Sequence, residues 1–112
     1  MEYILGRKDG ANSYYVKIDC DKARNVWKWG IDWMTGSRGG GFNSTLCKKT
    51  YTTSSDAIVD ACIHALHELY LSKIVFFNKP NMLVQIDKLI AEVNNFLRAQ
   101  SRPQYVQLEL FD

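Results

Sequence analysis

Apolar and polar residues alternate in the first half of the chain and recur at helical spacing in the second. In Tyr14-Tyr15-Val16-Lys17-Ile18-Asp19, Tyr14, Val16 and Ile18 fall on one side, with Tyr15, Lys17 and Asp19 on the other. The alternation is clearest in Val26-Trp27-Lys28-Trp29-Gly30-Ile31-Asp32-Trp33. There Trp27, Trp29, Ile31 and Trp33 share one face and Lys28, Gly30 and Asp32 the other, the pattern of a half-buried antiparallel strand. A shorter strand over residues 3–7 precedes these, followed by a turn at Lys8-Asp9-Gly10. Residues 19–25, which include Asp19, Asp21 and Asn25, suit a second turn. Thr35 to Ser44 reads as a glycine-rich loop, with a last strand around Leu46 to Tyr51. The expectation is a meander of three or four antiparallel strands.

Thr53-Ser54-Ser55-Asp56 is a helix start, with hydroxyls to accept from free N–H groups and an acid in the first turn. Ile58, Ala61, Cys62, Ala65, Leu66 and Leu69 then recur at helical spacing, while Asp56, Asp60, His64 and His67 fall opposite. Residues 70–80 read equally as more helix or as a buried connector. Pro80-Asn81 marks a boundary with Asn81 as the cap, and a second helix runs to about Gln100. Its stripe is Leu83, Ile86, Ile90, Val93 and Leu97, widened by Leu89 and Phe96. That stripe would also suit dimerisation, although core packing explains it equally well. Ser101-Arg102-Pro103 is expected to end the helix. A tryptophan-rich sheet face needs a cover, and two amphipathic helices provide one. The fold class expected is therefore α+β, an antiparallel three- to four-stranded meander packed on two C-terminal helices. Residues 1–101 would form one domain and residues 102–112 a tail.

Composition narrows the function without naming it. The chain has 112 residues, 46% apolar and 23% charged, which suits one globular domain. Its net charge of +2 is too small to imply nucleic acid and too positive for a DNA mimic. The N-terminal residues lack the apolar stretch of a signal peptide, and no run approaches the ~20 apolar residues that span a bilayer. Cys20, Cys47 and Cys62 are an odd, widely spaced set, which fits reduced thiols in a cytoplasm better than a disulfide framework.

The most specific stretch is the last: Pro103-Gln104-Tyr105-Val106-Gln107-Leu108-Glu109-Leu110-Phe111-Asp112. Gln107-Leu108-Glu109-Leu110-Phe111 resembles the pentapeptide by which bacterial polymerases and repair proteins dock on the replication sliding clamp. Glu109 stands where Ser or Asp is usual. The resemblance implies an extended peptide in which Gln107 fixes register by hydrogen bonds, Leu108 occupies one site, and Leu110 and Phe111 fill a deep pocket. Arg102-Pro103 would act as a stiff spacer. The same residues also alternate as a final strand would, with Val106, Leu108 and Leu110 on one side. More loosely, Trp27-Lys28-Trp29-Gly30, Gly39-Gly40-Gly41 and Thr53 to Ala65 together resemble small bacteriophage and mobile-element modules. Some of those modules accompany DNA-modifying or ParB-like nuclease domains and end in a clamp-like peptide.

Other chemistry is less well supported. Gly36, Gly39, Gly40 and Gly41 with Arg38 suggest a phosphate loop, yet neither the Lys-Ser or Lys-Thr pair nor the following helix is there. Arg38 with Lys28, Lys48 and Lys49 would make a modest nucleic-acid surface beside Tyr15 or Tyr51 if the strand registers allow; otherwise these are solvated sheet lysines. His64 and His67, near Asp60, Cys62 and Glu68, have one-turn spacing, but Cys62 falls on the apolar side, so a solvated helix face is expected and not a metal site. No serine or cysteine is paired with a base, so no enzyme activity, cofactor or small-molecule substrate is expected. Three binding functions remain: an accessory protein on the sliding clamp, a nucleic-acid-binding module, and an inhibitor that blocks a host defence enzyme through aromatic surface.

Overall fold

A computed structural model gives the structure at residues 1–8 and 10–111, with side chains described for all of these except residue 11 and residues 101–111. Strands β1 (Glu2–Arg7), β2 (Tyr14–Ala23), β3 (Val26–Thr35) and β4 (Arg38–Phe42) are followed by helices α1 (Ser54–Val75) and α2 (Pro80–Phe111). The strands form one antiparallel sheet in the order β1-β2-β3-β4, a meander, with both helices C-terminal to it. This is the expected α+β architecture. Among the described residues, no helix is long and apolar enough to cross a membrane.

The alternation in the sequence decides which sheet face is covered. Val16, Ile18 and Cys20 of β2 and Trp29, Ile31 and Trp33 of β3 are buried together. Against them lie Ala57, Ile58, Ala61, Cys62, Ala65 and Leu69 of α1, and Ile86, Leu89, Ile90 and Val93 of α2. Burying a side chain of this kind stabilises by about 1.5–3 kcal/mol, so this one layer carries most of the folding energy. Phe96 and Leu97 complete the α2 stripe from its partly buried edge.

The chain turns later and more tightly than residues 19–25 suggest. Cys20 is buried on the inner face, so β2 continues to Ala23, which pairs with Val26. Only Arg24 and Asn25 remain, at φ 54° and 69°, the left-handed pair that matches the twist of a two-residue hairpin. The glycine-rich stretch differs more. Arg38–Phe42 is strand β4, and the strand expected at Leu46 to Tyr51 is reduced to a single bridge between Tyr51 and Trp27. β4 forms because the tryptophan-bearing β3 accepts a neighbour without side chains. A Cβ on Gly41 would stand 2.2 Å from the Ile31 carbonyl oxygen, and Gly40 lies under the Trp33 indole.

Thr53 caps α1 as expected, its hydroxyl accepting from the Asp56 N–H at 3.1 Å. The helix takes Ile74 and Val75 with it and ends at a buried Phe76. α2 starts at Pro80, whose missing N–H costs nothing in a first turn. The Lys79 carbonyl accepts from the Met82 and Leu83 N–H groups, so Lys79 takes the place expected for Asn81. α2 also runs past Ser101-Arg102-Pro103, where a stop was expected. A proline removes one backbone donor and can be carried by a helix whose preceding turns are docked. The side chains of Gln107, Leu108, Leu110 and Phe111 lie outside the described residues.

Candidate functional site

After β4 the chain arches out and returns so that Tyr51 pairs with Trp27, by backbone bonds of 2.7 and 3.0 Å. The arch crosses the sheet closely at Gly30, where a Cβ would lie 2.5 Å from the Ser44 nitrogen. Ser44 fastens it by donating to Asp21 Oδ2 at 2.7 Å. Between the arch, β3 and the first half of α1 lies a hollow of about 300 Å³, lined by Trp29, Phe42, Leu46, Cys47, Lys48, Lys49, Tyr51, Asp60 and His64.

Its floor is aromatic. The Trp29 and Phe42 rings are 5.0 Å apart, and the His64 ring lies 5.4 Å from the first and 5.9 Å from the second, edge-on to Phe42. These distances are those of favourable offset and edge-to-face pairs. Its wall is a hydrogen-bonded relay: Trp29 Nε1–H donates to the Tyr51 oxygen at 3.1 Å, and the Tyr51 hydroxyl donates to Asp60. Lys49 sits 3.6 Å from the same Asp60 oxygen and 5.5 Å above the Tyr51 ring. Burial, reinforced by the bond to Asp60, pushes the Tyr51 phenol up to about 12. Tyr51 is thus a neutral donor at physiological pH, not a base or nucleophile. The arrangement can hold a planar or apolar group against rings beside a lysine cation, and its hydrogen-bonding groups engage one another. A second, larger cleft of about 550 Å³ lies between β1 and the start of α2, where Glu92 accepts from the Gly6 N–H at 2.7 Å.

The structure separates the four residues of the expected basic surface. Arg38 pairs with Thr35 in register, which places it on the covered face of the sheet. Its guanidinium donates to Glu68 Oε2 at 3.1 Å, to the Glu68 carbonyl at 3.0 Å and to Ser72 Oγ at 2.7 Å, and lies over the Trp33 ring. Arg38 is therefore a clamp between β4 and α1. Lys28 is on the opposite face, and Lys48 and Lys49 are on the arch. Around Lys28 the strand parity also places Glu2, Asp19, Asp21 and Asp32, so the outer face is not basic. Tyr15 is 6% exposed, bonds Asp32 and lies under Lys8, so it is not an open stacking platform.

His64 and Asp60 are also misplaced by the helical pattern alone. They are half-buried against β3 and the arch, while His67 is exposed. Among the described residues, no three His, Cys, Asp or Glu side chains are placed to hold a metal. The Trp29–Tyr51–Asp60 relay was not legible, because it depends on an arch that turns Tyr51 back onto β3. Comparison with protein-family models, with curated proteins and with solved structures finds no match for the chain.

Proposed function

We propose that this chain is a non-enzymatic accessory protein that docks on the bacterial DNA sliding clamp through Gln107, Leu108, Leu110 and Phe111. The observation that carries the reading is the pentapeptide itself, which lies in the last turns of α2, so that docking as an extended peptide requires those turns to unwind. Among the described residues every buried side-chain polar atom has a partner, and the inner sheet face is covered by α1 and the first half of α2. The resemblance assigns Leu108, Leu110 and Phe111 to a pocket on the clamp. A phage or mobile-element origin and a cytoplasmic site of action accord with this reading, since the clamp works on cytoplasmic DNA.

The non-enzymatic part rests on the body's own groups. Tyr51 is held protonated, Asp60 is engaged by Tyr51 and Lys49, and burial pushes the Cys62 thiol up to about 12 in the core. A buried thiol of that kind is inert. The nucleic-acid alternative is weakened by the dispersal of Arg38, Lys28, Lys48 and Lys49. A synthetic peptide of residues 103–112 should bind purified bacterial clamp at micromolar affinity or better; no detectable binding removes the proposal.

A further inference from the structure

α1 is apolar on two sides. One side closes the core through Ala57, Ile58, Ala61, Cys62, Ala65 and Leu69. The other faces solvent and carries Ile63, Tyr70, Ile74 and, just past the helix, Phe77, at 53%, 51%, 69% and 75% exposure. With His67 these positions are separated by four, three, four and three residues, the spacing of a helix–helix seam. A helix apolar all round belongs in an interior, and a surface stripe of this size marks a contact.

The charges around the stripe indicate what covers it. Glu68 and Lys73 are turned aside by Arg38 and Asp87, in pairs of 3.1 and 2.8 Å. What remains is Asp56 at the start of α1 and Lys79 beyond its end, both exposed and, among the described residues, in no ion pair. The stripe is therefore acidic at one end and basic at the other. Two copies laid antiparallel about a two-fold would bring Asp56 of each to the Lys79 end of the other, with Ile63 opposite Ile74. A parallel pairing would instead oppose like charges at both ends.

We infer that the solvent face of α1 is the contact between two copies of this chain, paired antiparallel through Ile63, His67, Tyr70, Ile74 and Phe77. The contact is independent of the clamp peptide. Sedimentation and light scattering on the full chain test it. The wild type should give twice its 12.9 kDa mass, and Ile74→Glu, at an exposed position, should melt normally yet dimerise roughly tenfold or more weakly. Asp56→Lys should weaken the dimer severalfold, and Asp56→Lys with Lys79→Asp should restore it. A wild type monomeric at hundreds of micromolar overturns the inference and leaves the stripe to a different protein. A dimer that survives Ile74→Glu, or one that the double charge exchange does not restore, overturns the pairing proposed.

Discussion

Arg38 joins three parts of the fold. The Thr35 hydroxyl lies within hydrogen-bond distance of the Arg38 carbonyl and of Ser72 Oγ, Ser72 accepts from the guanidinium, and Glu68 takes its charge. Thr35 and Ser72 are fully buried, so their hydroxyls depend on these partners. Arg38→Met should lower the unfolding free energy by about 2–3 kcal/mol, because it leaves the Glu68 carboxylate unpaired and removes a charged donor from Ser72 beside the core. Urea unfolding measures this; a loss under half a kilocalorie would show the clamp to be incidental. A second residue-level consequence concerns alkali. Burial raises Cys62 from 9.0 to about 12 and Tyr51 from 10.0 to about 12, and raises Cys20 and Tyr15 in the same direction. The unfolded chain ionises these groups first, so the native state binds more protons above pH 9. These groups should make stability fall steadily from about pH 9 towards pH 12. Thermal melts across that range test the point, and Cys62→Ala, though less stable at neutral pH, should show a flatter decline.

At the scale of elements, β4 is the instructive case. Three consecutive glycines argue for a loop on propensity, since glycine loses the most entropy in a strand. The structure makes them a strand because the β3 backbone comes too close for a Cβ at two of them, with the Trp33 carbonyl 2.8 Å from one on Gly39 and the Ile31 carbonyl 2.2 Å from one on Gly41. Gly41, at φ 154°, should therefore tolerate no side chain: Gly41→Ala should cost about 2 kcal/mol or more, read from the denaturation midpoint. An alanine variant as stable as the parent would mean that β4 can lift from the sheet freely. The other elements were readable because each states one thing clearly. Trp27, Trp29, Ile31 and Trp33 alternate without interruption, Thr53 to Asp56 is a helix cap, and Ile86 to Leu97 is a single stripe. Residues whose partners are remote in sequence were not readable. Arg38 looked like a free cation in a loop, and Asp60 and His64 looked solvated. Only strand register and the arch reveal the helix that Arg38 meets and the tyrosine that Asp60 meets. The second apolar face of α1 is hidden in the sequence because Ile63, Tyr70 and Ile74 interleave with the buried stripe.

For the whole molecule, the body and the final peptide divide the work. Among the described residues, the sheet and helices pack a core that reaches Leu97, hold an aromatic hollow at the arch and expose an apolar face of α1. The peptide carries the recognition on which the proposed function rests. The most direct test is binding of the full chain to a purified bacterial sliding clamp, beside the Leu110→Ala, Phe111→Ala double variant. Thermal melts of both proteins, run beside the binding assay, check that the variant is folded. The account predicts micromolar or tighter binding by the parent and loss of roughly a hundredfold or more in the variant, as expected when two pocket-filling anchors are removed. Equal binding by both, or binding by neither, would contradict it.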